Sequence, residues 1–359
     1  MLSAADGGGF AMHFTVIGAG AIGGTIGAHL VRAGHDVLFV DADTKHVDAI
    51  DHSGLTIEGK DTFHVRAPAV TVAGLADALR GRPPEVVLLA VKAMHTTPAL
   101  EPVVPLLGTQ SFVVSMQNGL NERVIASRIG APKTVGAFVN FGADYLAPGR
   151  IMYGGSGALY LGELDGTMTA RLAELGRTIQ VAFLENTQLT SNIWGYLWGK
   201  LGYASMLFAT AVVDETMADV LANPVYRPLL ANLAGEVVRV ADGEGVRSEG
   251  FDGYDPNAMR FAHPRDWHGI ERSLDCLADF NRRSLKQKSG IWRDLAVRRR
   301  RTEVDDHIGL VVAAARDRGF AVPLNEHLVE TIHDLESGRR PMTAGNLESL
   351  RRLNEEMYQ

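Results

Sequence analysis

The chain has a single cysteine, Cys276, in 359 residues. One thiol cannot close an intrachain disulfide, so the fold is not stapled and a reducing, cytoplasmic compartment is expected. With no base beside it in sequence, Cys276 reads as structural rather than reactive. No stretch approaches the ~18 consecutive apolar residues of a membrane span. The glycine-rich start, Met1 to Gly9, has neither a basic segment nor an apolar core and does not read as a signal peptide. Positive charge is not in excess: 35 Lys and Arg stand against 42 Asp and Glu, for a net −7. That disfavours nucleic acid as the partner, because phosphate binding needs a concentrated basic surface. The one basic run, Arg298 to Arg301, neighbours Glu303, Asp305 and Asp306 and reads as a solvated helix face. The 12 histidines are scattered, with no paired cysteines and no HExxH spacing, so no metal is expected.

What is present is ordinary globular material, 46% hydrophobic and 21% charged. At ~150 residues per domain the length suggests two domains. The first half alternates strand-like and helix-like stretches. His13 to Ile17, Asp36 to Val40, Glu85 to Val91 and Ser111 to Met116 are short apolar runs bounded by turn residues, and Ala21 to Ala33 between the first two reads as a helix. Thr134 to Asn140 and Arg150 to Gly162 read as further strands. Strands separated by helix-length stretches imply βαβ units and a parallel sheet covered on both faces. From about residue 188 the texture becomes helical. Leu229 to Ala241 and Val304 to Ala315 carry apolar residues at helical spacing, and Asp252 to Pro264 is a turn-rich insertion. The expected architecture is α/β: an N-terminal Rossmann doubly wound parallel sheet over 12–188, with a C-terminal all-helical domain over 189–359 for substrate and dimerisation.

The sharpest local signal is Gly18-Ala-Gly20-Ala-Ile-Gly23, directly after a strand and opening a helix. Gly18 permits a tight turn, Gly20 lets a pyrophosphate approach the backbone, and Gly23 lets the helix pack against the strand. The N–H groups of the opening turn, at Ala21 and Ile22, face the phosphates with the positive end of the helix dipole. A bare GxGxxG is weak evidence. Here the strand, the helix and an acidic residue closing the next strand all fall in place. That acidic residue is Asp41, a carboxylate for ribose hydroxyls that repels a 2′-phosphate; NAD is therefore favoured over NADP. Lys92 ends a later strand at the ligand edge of the sheet, and Gln117-Asn118-Gly119 does the same one unit on. Their amides suit a nicotinamide, its ribose or a substrate, while Asn118-Gly119 also reads as a plain turn pair.

Together these pieces resemble the ketopantoate reductase (2-dehydropantoate 2-reductase) family. The resemblance runs from His13 to about Ser337. Its carriers are the Gly18 to Gly23 loop, Ala90-Val91-Lys92, Gln117-Asn118-Gly119, Trp198-Gly-Lys200-Leu201, Ser289-Gly-Ile-Trp-Arg-Asp294, Thr302-Glu303-Val-Asp305, Ile308-Gly309 and Pro323-Leu-Asn325. It implies hydride transfer to the carbonyl of a 2-oxo acid in a cleft between a Rossmann domain and a helical domain, the step used in pantothenate biosynthesis. By that likeness Lys200 is the catalytic lysine and Glu303 its acidic partner, and Asn118 and Ser289 contact the substrate. The chemistry agrees: charge grows on the carbonyl oxygen as hydride arrives, and an ammonium aimed there stabilises it and donates the proton. Glu303 either orients the lysine or accepts from the substrate.

The chain departs from the family where asparagines are expected one and two turns after the lysine. Ala204 and Phe208 stand there, with Ser205 the nearest small polar group and so a substrate-binding candidate. A pocket without those amides should favour a more apolar carbonyl compound, as in a divergent member of the family. A C–N (imine or amino acid) dehydrogenase on the same plan, and a non-catalytic dinucleotide-binding protein, are the competing readings; Lys200 and Glu303 argue against the second. The expected partners are a small-molecule carbonyl substrate and a second copy of the chain in a homodimer, the commonest closed assembly.

Overall fold

The computed structural model describes residues 12–284 and 286–358; the Met1 to Gly9 segment lies outside them. Ten strands form one sheet: β1 (His13–Ile17), β2 (Asp36–Asp41), β3 (Leu55–Gly59), β4 (Phe63–Val65), β5 (Ala69–Thr71), β6 (Val86–Leu89), β7 (Phe112–Ser115), β8 (Thr134–Ala147), β9 (Arg150–Glu163) and β10 (Thr187–Leu189). Their order is β4-β3-β9-β8-β7-β6-β1-β2-β5, with β10 on β9. All neighbours are parallel except β3–β4 and β8–β9. The chain winds one way from β1 through β2 to β5, then returns to the other side of β1 with β6, β7 and β8. Ligands bind at such a reversal, beyond the carboxyl ends of the strands.

The sequence reading of the sheet holds at its centre. Every residue of β6 and β7 is buried, which is why both are unbroken apolar runs rather than alternating ones. Apolar layers cover the two faces, one around Phe14, Val16, Ile26 and Phe39, the other around Ile17, Val40, Leu89 and Leu100. Helix α1 (Ala21–Arg32) belongs to the first layer. Helix α2 (Thr44–Ser53) follows β2, and α3 (Asn121–Ile129) follows β7. Strand β8 runs seven residues beyond Asn140, to Ala147, and makes a long hairpin with β9 that leans over the ligand edge.

After α4 (Ala170–Ala182) and β10 the chain becomes helical. The central helix is α5 (Ile193–Thr210), whose Trp198 is fully buried. Around it lie α6 (Arg227–Gly243), α7 (Trp267–Arg283), α8 (Leu310–Asp317), α9 (Pro323–Glu336) and α10 (Ala344–Met357), and they share one apolar core. The expected helix from Val304 begins as a π-turn, Asp305–Gly309, before it becomes α8. No helix among the described residues is long and apolar enough to cross a membrane.

Two local readings are corrected. Arg298 to Arg301 is no helix face: a π-turn, Arg293–Val297, ends at Arg298, and Arg299 has φ +48°. All four arginines are exposed, as expected, and Arg298 and Arg300 pair with Asp294 at 3.1 and 2.9 Å. Asp294 lies four residues before Arg298, and Arg300, beyond the left-handed residue Arg299, pairs with the same carboxylate. Ser205 is fully buried and its hydroxyl donates to the carbonyl of Gly202 at 2.9 Å; it does not reach the cleft. At 100° per residue, five positions beyond Lys200 is the far side of the helix.

Candidate active site

The carboxyl edge of the sheet and the helices after residue 192 enclose a cleft of about 1640 Å³. At one end Gly18 takes φ +91°, and its N–H donates to Val40 O at 2.8 Å. A Cβ there would stand 2.9 Å from the backbone of Ala90 and Val91. Gly20 is the opposite case: nothing lies within 4 Å of where its Cβ would point. That open face, over an α1 N-terminus with no side-chain cap, fits a pyrophosphate, which the uncapped N–H groups can bind. Gly20, Ala21 and Ile22 line the cleft. Gly23 lies beneath it, where a Cβ would press on Gly18 O and come within 2.9 Å of Val16 and Ala90.

Asp41 closes β2 beside the loop. One carboxylate oxygen accepts from Ala19 N at 2.8 Å and the other from Asp43 N at 2.9 Å. His46, which no sequence motif marks, braces the same loop. Its Nδ1 accepts from Gly149 N at 3.0 Å, so Nε2 carries the proton and donates to Ala19 O at 2.8 Å. The loop is thereby tied to the β8–β9 turn. Asp43 lines this end of the cleft with Asp41, while Asp144, also in the lining, is paired with Arg293 and Arg298.

Further along the edge, Gln117 lines the cleft but is largely buried, its amide donating to Val91 O at 3.0 Å and Thr96 Oγ1 at 2.8 Å while its Oε1 has no partner among the described residues. Lys92 crosses to the helical half, 2.5 Å from Asp294 and 3.9 Å from Glu303. Burial works to raise the Asp294 carboxyl, but Lys92, Arg298 and Arg300 together hold it below the usual carboxylate range.

Lys200 projects from α5 into the centre. Its ammonium donates to Asn118 Oδ1 at 2.6 Å and to the carbonyl of Val139. Burial pulls its pKa down to about 8, against the opposing pull of Glu303 and Glu122. Glu303 is in the cleft as expected but does not touch Lys200; its carboxylate accepts from Ala93 N at 2.9 Å. Two further titratable groups, absent from the sequence reading, stand behind the site. Glu122 on α3 is fully buried and burial pushes it up to about 7. His307, in the π-turn, lines the cleft and is held below its ordinary value by burial.

Beyond Lys200 the α5 wall is Tyr203, Ala204, Leu207 and Phe208, with the Tyr203 hydroxyl accepting from Asn281 at 2.9 Å; Ala204, Leu207 and Phe208 lie one and two turns on, on the same face as the lysine. Opposite is Ser289, 5% exposed, whose Oγ accepts from Trp292 N at 3.1 Å. Cys276 is half-buried and also lines the cleft. From the 252–264 insertion Asp252 reaches in and accepts from Asn140 at the β8 side.

The chain belongs to the ketopantoate reductase family. The family described as ketopantoate reductase PanE/ApbA matches residues 14–166, and its C-terminal counterpart matches 192–336. The chain is 32% identical over 262 residues to the 2-dehydropantoate 2-reductase of Mesorhizobium japonicum, covering 66% of this chain and 78% of that one. It is 27% identical over 315 residues to that of Pyrococcus horikoshii, covering 88% and 94%. Among solved structures, a PanE/ApbA family ketopantoate reductase from Ralstonia eutropha superposes with a TM-score of 0.75 at 24% identity, over 91% of this chain and 99% of that one. A D-mandelate dehydrogenase ternary complex with NADH superposes at 0.77 and 21% identity, over 91% and 99%. These two share the fold. The chain is accordingly an NAD(P)H-dependent oxidoreductase that acts on a carbonyl group.

Proposed function

We propose that this member of the family reduces, with NADH, the keto group of a 2-oxo acid whose side chain is apolar. One observation carries the substrate reading: the wall next to Lys200 is Ala204, Leu207 and Phe208, with Ser205 turned away into its own helix. Such a wall gains from burying hydrocarbon, roughly 25 cal/mol per Å², and at Ala204, Leu207 and Phe208 offers a side-chain hydroxyl nothing to pair with, the one hydroxyl nearby, on Tyr203, being engaged by Asn281. A hydroxyl desolvated there without a partner costs ~1–3 kcal/mol.

A reduced nicotinamide in the groove supplies hydride to the carbonyl carbon. Lys200 places its ammonium at the carbonyl oxygen, stabilises the charge that develops and transfers a proton, leaving a 2-hydroxy acid. Asn118, just past β7, and the carbonyl of Val139 in β8 aim the ammonium. Of the two roles open to Glu303, orienting the lysine is the poorer one, since its carboxylate is spent on Ala93 N and Lys92. It steadies the strand end where the nicotinamide ribose would lie.

The pair Asp41 and Asp43 supports NADH over NADPH, because a 2′-phosphate would meet like charge. Asp41→Ala should narrow the ratio of kcat/KM for NADH over NADPH; an unchanged ratio removes the ribose role. Ala204→Asn tests the wall: it should shift kcat/KM toward 2-dehydropantoate relative to 2-oxoisovalerate, which lacks the hydroxyl, by roughly tenfold or more. We expect a homodimer, which light scattering on the purified protein would check.

A further inference from the structure

The cleft holds more cations than carbonyl reduction needs, and among the described residues all but one have a hydrogen-bond or ion-pair partner, Arg283 on the carbonyl of Asp279 included. Lys92 is on Asp294, Arg298 is on Asp294 and Asp144, and Arg300 is on Asp294. Lys200 is held by Asn118 and Val139. Lys286 is different. It lines the cleft, is only partly exposed, and makes no ion pair or side-chain hydrogen bond among the described residues. Asp294, the carboxylate that acts on it at a distance, is already occupied by three cations. Burial and the neighbouring guanidinium of Arg298 disfavour the charge on Lys286. An ammonium left in this state is a site waiting for an anion.

Its surroundings point the same way. The Lys286 Nζ lies 3.8 Å from where a Cβ on Gly290 would stand, so the absence of a side chain at Gly290 leaves the space in front of the ammonium clear. The preceding residue is Ser289. Its hydroxyl oxygen accepts from Trp292 N, which leaves the O–H proton free to donate. Two unspent donors, one charged and one neutral, therefore line the cleft that also holds Lys200. Ammonium plus hydroxyl is the donor set for a carboxylate.

We propose that Lys286, with Ser289, anchors the carboxylate of the substrate while Lys200 addresses its keto oxygen. The inference rests on the 2-oxo acid reading and deepens it: one lysine binds the acid group and the other performs the proton transfer. The enzyme then selects 2-oxo acids over simple ketones through a salt bridge made outside the reacting centre.

The test compares Lys286→Met, close in volume, with Lys286→Arg and with wild type. Phenylglyoxylate and its methyl ester serve as substrates with NADH, and oxamate as a non-reacting carboxylate titrated calorimetrically into the NADH-loaded protein. Lys286→Met should raise KM for the acid at least 30-fold, change kcat/KM for the ester less than threefold, and weaken oxamate binding at least 30-fold. Lys286→Arg should restore most of the acid's affinity. Equal losses for acid and ester, or unchanged oxamate binding in Lys286→Met, would overturn the assignment. Failure of the 2-oxo acid reading would look different: wild type would turn over neither probe acid nor 2-dehydropantoate, while oxamate binding would still report on Lys286.

Discussion

Lys200 and Asn118 meet at 2.6 Å across the line where the sheet gives way to the helices. Asn118 stands just past the buried strand β7, and Lys200 stands on the buried face of α5, 82 residues on. Neither could hold this position alone. The strand end fixes the amide, the helix fixes the lysine stem, and their hydrogen bond sets where the proton is delivered. The site exists only when both halves of the chain are packed together.

This relationship makes a pair of mutations informative. Lys200→Ala removes the proton donor and should lower kcat by 10²–10⁴-fold with little change in NADH affinity. Asn118→Ala leaves the donor but frees its aim, so a smaller loss, roughly tenfold, is expected. Because both act through one hydrogen bond, the double variant should be no worse than Lys200→Ala. Steady-state kinetics on the three proteins decide this; additive losses would mean that Asn118 acts elsewhere.

The pH profile follows from the lysine. Reduction needs the protonated ammonium, and its pKa is lowered to about 8. The rate of reduction should be level below pH 8 and fall as pH rises through that value, whereas oxidation of the hydroxy acid, which needs the free amine, should rise over the same interval. Initial rates in both directions from pH 6 to 10 would show the crossing.

Glu122 makes a prediction about stability. Its folded pKa is raised from 4.5 to about 7, so the folded state binds a proton that the unfolded state releases. Stability from this group is complete below pH 4.5 and is lost as pH rises through 7, on the order of 3 kcal/mol in all. Glu122→Gln, which cannot ionise, should flatten urea-denaturation stability between pH 4.5 and 7.5 relative to wild type.

The two glycines of the loop separate folding from binding. Gly23→Ala would press a methyl on Gly18 O, Val16 and Ala90, with a cost of about 1–3 kcal/mol and a lower Tm with or without cofactor. Gly20→Ala meets no protein atom within 4 Å. Its Tm should stay near wild type while NADH affinity drops at least tenfold, as measured by nicotinamide fluorescence.

Much of this was legible in the sequence for a physical reason. The glycine loop, the buried strands and Asp41 are local, and each motif is read within about thirty residues of itself. Lys200, Glu303 and Ser289 were placed by likeness to the family, and the structure brings all three into one cleft. What the sequence hid is what depends on distant partners. Asp144 lies 154 positions from Arg298, so the ion pair between them is invisible locally even though the basic run is exposed as read. His46 braces the glycine loop from 27 residues away, and Glu122 and Lys286 owe their character chiefly to burial, with Arg298 adding to it at Lys286. Ser205 was a failure of helical phase: five positions from Lys200, it could not share its face.

The most direct measurement is the ratio of kcat/KM for 2-oxoisovalerate or phenylglyoxylate to that for 2-dehydropantoate, with NADH and with NADPH, followed at the nicotinamide absorbance. The account predicts a ratio well above one with NADH and weaker turnover with NADPH for every acid. Robust turnover of 2-dehydropantoate in preference to both apolar acids would contradict it, showing that the wall of Ala204, Leu207 and Phe208 does not set the substrate.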